Sequence, residues 1–146
     1  MEVGRLRGVA LCCGIFDIAG IDDSGPFRNV LNAVGWAYSG TRDYRANSSF
    51  SSTISVPERV TDRFPPTFVT AGNADPLLPQ SLALAATLTA KGVEVETLFY
   101  DKDHQPALGH EYQFDLGLAH GRAAFDRLIA SFRRCTDGAT RGPVGE

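Results

Sequence analysis

Three apolar runs, "GVALCCGIFDI" (8–18), "TFVTAG" (67–72) and "VEVETLFY" (93–100), alternate with stretches of helical period, and this alternation constrains the fold more than any other feature. A tight turn returns a strand antiparallel, whereas a helix between two strands brings the chain back to the same end of the sheet. Strand–helix–strand order therefore predicts an α/β fold, a parallel sheet covered by helices and linked by right-handed crossovers. The first run is almost wholly apolar up to Asp17, the pattern of a strand buried on both faces. The third alternates before turning apolar, which places it nearer a sheet edge. Three strands alone leave both outer strands open, so the pattern reads as part of a larger sheet.

Helices fill the intervals. "PFRNVLNAVGWAY" predicts one from about Pro26 to Tyr38, with Phe27, Val30, Leu31, Val34 and Tyr38 on one face. Residues 39–66 are rich in Ser, Thr and Arg and read as irregular with short helical pieces, ended by Pro65 and Pro66. After Asp75-Pro76, "LLPQSLALAATLTAKG" sets Leu78, Leu82, Ala85 or Ala86 and Leu88 at helical spacing, with Gly92 placed as the C-terminal cap. The last helix, roughly Tyr112 to Arg134, sets Phe114, Leu118, Phe125, Leu128 or Ile129 and Phe132 along a stripe. Residues 135–146, "CTDGATRGPVGE", read as a disordered tail.

The totals exclude several classes of function. At 146 residues with 43% hydrophobic and 21% charged, the chain holds one core. A net charge of -3 and no basic cluster denser than Arg133-Arg134 argue against nucleic acid, whose phosphates demand a concentrated positive face. No apolar run approaches the ~20 residues of a membrane span. Cys12, Cys13 and Cys135 are odd in number and lack paired spacing, which fits buried thiols in a reducing, cytoplasmic setting. Adjacent Cys12 and Cys13 in a strand point to opposite faces and are poorly placed to share a metal.

Functional groups in open parallel sheets gather beyond the C-terminal ends of the strands. Asp75 follows the second strand and His110 lies beyond the third, a gap of 35 residues that fits one helix and one strand. A carboxylate that orients a histidine, with the histidine as general base, is the chemistry these positions suit. Asp75 before Pro76 also matches a helix N-cap, and the two roles can coexist. His104 shares the loop with His110, and His120 falls within the last helix pattern, as a surface or core histidine. Asp101, Asp103, His104 and His110 match no compact zinc or calcium spacing, so no metal site is expected from them. Trp36, Tyr38 and Tyr44 either line a cleft or pack the 19–56 segment onto the body of the protein.

"PPTFVTAGNADPLLPQS" followed by "LFYDKDHQPALGHEYQF" resembles the C-terminal half of an α/β-hydrolase, of the esterase and lipase group that includes hormone-sensitive-lipase-like enzymes. The resemblance covers residues 6 to about 134. It implies a partial α/β-hydrolase fold whose parallel strands correspond to sheet strands 6 to 8, in a domain over residues 1–134, with residues 19–56 as a cap-like insertion. It also implies Asp75 as the triad acid, His110 rather than His104 as the base, Trp36 and Tyr38 on the acyl-binding side, a small ester as substrate, and no cofactor.

The nucleophile of that family sits in G-x-S-x-G on a strand-to-helix elbow. No serine in the chain has glycine both two positions before and two after it, and there is no His-Gly-Gly oxyanion loop. By family order both belong upstream of residue 1, in a missing N-terminal half of the fold. Losing even one oxyanion donor costs ~3 kcal/mol of transition-state stabilisation. Two functions follow as expectations: the C-terminal portion of a serine carboxylester hydrolase, inactive alone, or a non-catalytic, degenerate hydrolase-like binding domain.

Overall fold

The structure is a computed structural model and describes residues 6–21, 25 and 27–137. Pro26 and residues 138–146, most of the expected tail, lie outside that range. The elements run β1 (Val9–Cys12), α1 (Arg28–Ser39), α2 (Ser48–Ile54), β2 (Thr67–Thr70), α3 (Leu78–Ala90), β3 (Val95–Leu98) and α4 (Ala119–Asp137), with single 3-10 turns at Ile18–Gly20, Pro57–Arg59 and Tyr112–Phe114. The strands form one parallel sheet in the order β1-β2-β3, with Val9 opposite Thr67 and Thr67 opposite Val95. This is a small parallel sheet flanked by helices.

The central strand β2 is buried along its whole length, with Val69 fully enclosed and Phe68 nearly so. Val69 packs with Leu84, Ala85 and Leu88 of α3, together with Phe16, Val60 and Val93. Each such side chain contributes about 1.5–3 kcal/mol by leaving water. A second cluster joins Leu108, Tyr112 and Ala124 of α4 to Leu98 and Tyr100. A third holds Ile18, Ile21, Leu31, Tyr44 and Leu77.

Several sequence expectations shift. β1 is half-buried throughout rather than enclosed on both faces, because it stands at the sheet edge with β2 as its partner. The last helix begins at Ala119, not Tyr112, because residues 112–118 turn back on themselves before it starts. Asp115 Oδ1 accepts from the Gly117 N–H at 2.9 Å, and the Leu118 N–H donates to the Asp115 carbonyl at 3.1 Å. Gly121 is required just there, since a Cβ on it would lie 2.1 Å from the Asp115 carbonyl oxygen.

The buried faces are also rotated from the expected stripes toward smaller residues. α4 buries Gly121, Ala124 and Ser131 and leaves Phe125 and Phe132 exposed, as is Phe114 in the turn ahead of it. On α3 the inner face is Gln80, Ser81, Leu84, Ala85 and Leu88, while Leu82 points outward. On α1 only Leu31 and Gly35 are buried, and Phe27, Val30 and Tyr38 are exposed. The Tyr44 ring lies where a Cβ on Gly35 would be, 2.6 Å away, so helix and ring approach closely. Gly92 sits just past the α3 cap residue Lys91 with φ +78, the left-handed conformation that suits glycine after a helix.

Candidate active site

β2 and β3 run parallel, so the loops that leave them emerge at the same end of the sheet. Asp75 comes from the first loop and His110 from the second. Backbone and side-chain bonds hold the loops together. The Ala74 N–H donates to the Leu108 carbonyl at 2.9 Å. Asn73 Oδ1 accepts from the Leu108 N–H at 2.8 Å, and its Nδ2 donates to the His104 carbonyl at 3.1 Å. Gly72 permits the close approach, because a Cβ there would lie 2.1 Å from the Leu108 carbonyl oxygen.

Within this frame His110 Nδ1 and Asp75 Oδ2 are 3.0 Å apart. The carboxylate can only accept, so Nδ1 carries the proton and Nε2 is left as the basic nitrogen. The Asp75 side chain is fully buried, whereas that of His110 is 41% exposed. Asp75 Oδ1 also accepts from the Leu77 N–H at 2.7 Å. The acid therefore closes the turn ahead of α3 with one oxygen and faces His110 with the other. It does not cap the helix itself, whose cap residue is Leu77 and whose first turn carries Pro79. His104 turns elsewhere: its Nε2 lies 3.0 Å from His120 Nε2, and both rings pack beside Tyr100.

The loop after β1 reaches the same end. Buried Gln80 of α3 ties it down, its Oε1 accepting from the Phe16 and Asp17 N–H groups at 2.8 and 2.9 Å. This brings in a residue that sequence reasoning missed. Cys13, 4% exposed, presents its thiol to Asp75 and His110, and one ligand atom from each of the three lies within 4.8 Å of the others. Its place at the C-terminal end of β1 is the signal that could have found it. Burial pushes the Cys13 thiol above its ordinary value of 9.0, against hydrogen bonds from the Gln113 amide and the Glu111 backbone; the charges of Asp75 and Glu111 push it higher still. Burial likewise raises Cys12 to about 11, with Cys13 adding to the effect. Tyr112 is raised by burial as well, although Thr70 Oγ1, 2.7 Å from its hydroxyl, opposes the shift.

Two hollows adjoin α1. One, of about 310 Å³, is lined by Ile15, Ile18, Ile21, Val34, Gly35, Tyr38, Phe50 and Ile54. The other, of about 440 Å³, lies against the Asp75 turn and includes Leu31, Asn73, Ala74 and Gln80 in its walls. Tyr38 thus borders the first, while Trp36 lies beneath the Arg42 guanidinium, 4.6 Å from the ring centre. Tyr44 is core, its hydroxyl donating to Asn32 Oδ1 at 2.7 Å.

The arrangement resembles known proteins in its fold. Esterase B from Lactobacillus Rhamnosis (HN001) superimposes with a TM-score of 0.67 at 17% identity, over 91% of this chain and 42% of the esterase. DphMB1 superimposes with a TM-score of 0.66 at 22% identity, over 90% of this chain and 44% of its own. The chain thus spans less than half the length of either. No curated protein matches it. The family described as the alpha/beta hydrolase fold matches residues 24–107, a span that includes Asp75 and ends before His110. Since this match takes in more than half of the chain, the protein belongs to the α/β-hydrolase fold family.

Proposed function

We propose that this chain, taken by itself, is a hydrolase-like binding domain that retains an acid and a base but does not hydrolyse esters. One observation carries the proposal: His110 is held by Asp75 at Nδ1, yet no hydroxyl among the described residues hydrogen-bonds to it. The sequence adds that no serine stands in G-x-S-x-G. Without a hydroxyl in reach His110 has no serine proton to take, and burial pushes the neighbouring Cys13 thiol away from the reactive thiolate, so no acyl-enzyme forms. What remains is the apolar hollow beside α1, which suits a short acyl or alkyl group, with Tyr38 in its wall and Trp36 on the same helix.

The geometry of the pair favours a second reading. A buried carboxylate 3.0 Å from Nδ1 of a half-exposed imidazole is the arrangement a serine hydrolase uses to fix the tautomer and stabilise the imidazolium. In this reading residues 1–134 are the C-terminal part of a serine carboxylester hydrolase domain, with 19–56 as its cap-like insertion. Another polypeptide segment supplies the serine and the oxyanion donors. The serine attacks the ester carbonyl, His110 Nε2 takes its proton and returns it to the leaving alkoxide, and water then releases the acid. Free thiols fit a reducing compartment, the cytoplasm in this reading.

Three measurements test these readings. The isolated chain mixed with a short-chain chromogenic ester should show no turnover above the buffer rate, while a short-chain carboxylate perturbs Trp36 fluorescence saturably. Hydrolysis by the isolated chain that disappears in His110→Ala would sink the first reading. Mixing with a hydrolase N-terminal segment that carries G-x-S-x-G should create His110-dependent esterase activity if the second holds.

A further inference from the structure

We propose that Cys13, Asp75 and His110 form a binding site for a thiophilic divalent cation of the zinc type. The three side chains come from the loops after all three strands, and one donor atom from each lies within 4.8 Å of the others. Tetrahedral zinc holds sulfur at ≈ 2.3 Å and nitrogen or oxygen at ≈ 2.0–2.2 Å, so its donors stand roughly 3.4–3.6 Å apart. Closing the triangle by about 1 Å is within the reach of side-chain rotation, with no change in the backbone. A thiolate, an imidazole and a carboxylate are a donor set that suits zinc, and three protein ligands leave a fourth position open. His110, 41% exposed, gives water access to that position.

The surroundings of the sulfur point the same way. Gln113 Nε2 donates to Cys13 Sγ at 3.3 Å. A donor aimed at sulfur suits a metal-bound thiolate better than a thiol, which has its own proton to place. Gln113 is itself 3% exposed, and its Oε1 is buried without a hydrogen-bond partner. Asp75 Oδ1 meanwhile keeps its bond from the Leu77 N–H, which holds the carboxylate in place while Oδ2 turns to the metal. The two non-glycine residues with positive φ among those described, Cys13 at 44° and Glu111 at 61°, both stand at this site. Such backbone strain collects where the surrounding structure positions a functional group.

Coordination forms the metal–sulfur bond and releases the thiol proton to solvent, one per cation; the imidazole binds in its neutral form through Nδ1, whose proton moves to Nε2. The bound cation occupies the acid and the base together, so it blocks any hydrolysis that uses them. The proposal stands apart from the hydrolase readings above: it needs only that the three side chains meet, and its readout is metal binding.

Cobalt(II) added to the full chain with a non-chelating reductant tests it. The expected result is a thiolate-to-cobalt charge-transfer band with strong tetrahedral visible bands, both erased by zinc. Cys13→Ser, His110→Ala and Asp75→Asn should each weaken binding on the order of tenfold or more, while Cys12→Ser and Cys135→Ser leave it unchanged. A variant-free measurement guards against misfolding: zinc should protect Cys13 of the unaltered chain from alkylation, read by mass spectrometry, while Cys135 reacts as before. Absence of the charge-transfer band, its survival in Cys13→Ser, or equal alkylation of Cys13 with and without zinc would each overturn the proposal.

Discussion

Asn73→Ala is the substitution that best probes how the site is held. Its Oδ1 is the partner of the Leu108 N–H at 2.8 Å, and Leu108 is 1% exposed. Removing the acceptor strands a buried donor, which costs about 1–3 kcal/mol. Its Nδ2 bond to the His104 carbonyl at 3.1 Å is only partly buried, so that oxygen can turn to water and the loss is about 0.5–1 kcal/mol. The sum, about 1.5–4 kcal/mol, is a large part of the ~5–15 kcal/mol by which a domain is stable.

Urea unfolding followed by far-ultraviolet circular dichroism and by the fluorescence of Trp36 measures this loss, and coincident transitions license the two-state treatment. The amide of Leu108 should lose its protection from hydrogen exchange before those of β2 do, because its partner is gone while the central strand is untouched. A loss below 1 kcal/mol, or a Leu108 amide still protected like that of Val69, would refute the view that Asn73 clamps the two loops.

Three further outcomes follow from the same geometry. Gly72→Ala should destabilise by about 3 kcal/mol or more in the same urea assay, because its Cβ would meet the backbone oxygens of Leu108 at 2.1 Å and Gly109 at 2.6 Å, and neither can yield without moving the loop. Asp75→Asn should keep the turn through Oδ1 but present an N–H to His110, moving the imidazole proton to Nε2; unchanged imidazole nitrogen shifts in NMR would contradict the pairing. Cys12 is raised from 9.0 to about 11 in the folded state, so the native form holds that proton more tightly than the unfolded one. Its contribution is complete below pH 9 and fades as pH rises toward 11, and Cys12→Ala should flatten the fall in melting temperature across that window.

The order of elements was legible because strand and helix periods differ, and the apolar runs at residues 67–72 and 93–100 left little choice of secondary structure. Which helix faces turn inward was less so. Periodicity counts large apolar residues, but the space between α4 and the sheet admits small ones: a Cβ on Gly8 would lie 2.9 Å from Cys135 Sγ. Gly121, Ala124 and Ser131 therefore take the inner positions, and Phe125 and Phe132 turn outward. β1 was read as enclosed because its composition is uniform, yet composition cannot say how many neighbours a strand has. With β2 on one side and none on the other among the described residues, it stays half-buried.

The site divides along the same line. Asp75 and His110 could be found because polar residues in loops beyond strand ends stand out from their surroundings. Cys13 stands out far less, because a thiol inside an apolar run looks like any small core residue and only its place at the strand end marks it. What separates it from Cys12 is one step of chain geometry. The strand ends at Cys12, and Cys13 takes φ 44°, leaving the pleat that would have carried its side chain across the sheet. Its N–H still closes the ladder on the Thr70 carbonyl at 3.0 Å, so the backbone is anchored while the thiol is redirected toward Asp75 and His110. Replacing Cys13 with glycine would relieve the backbone and delete the sulfur together, whereas Cys13→Ser keeps the strain and removes only the soft ligand. The serine variant is therefore the one that isolates what the sulfur does.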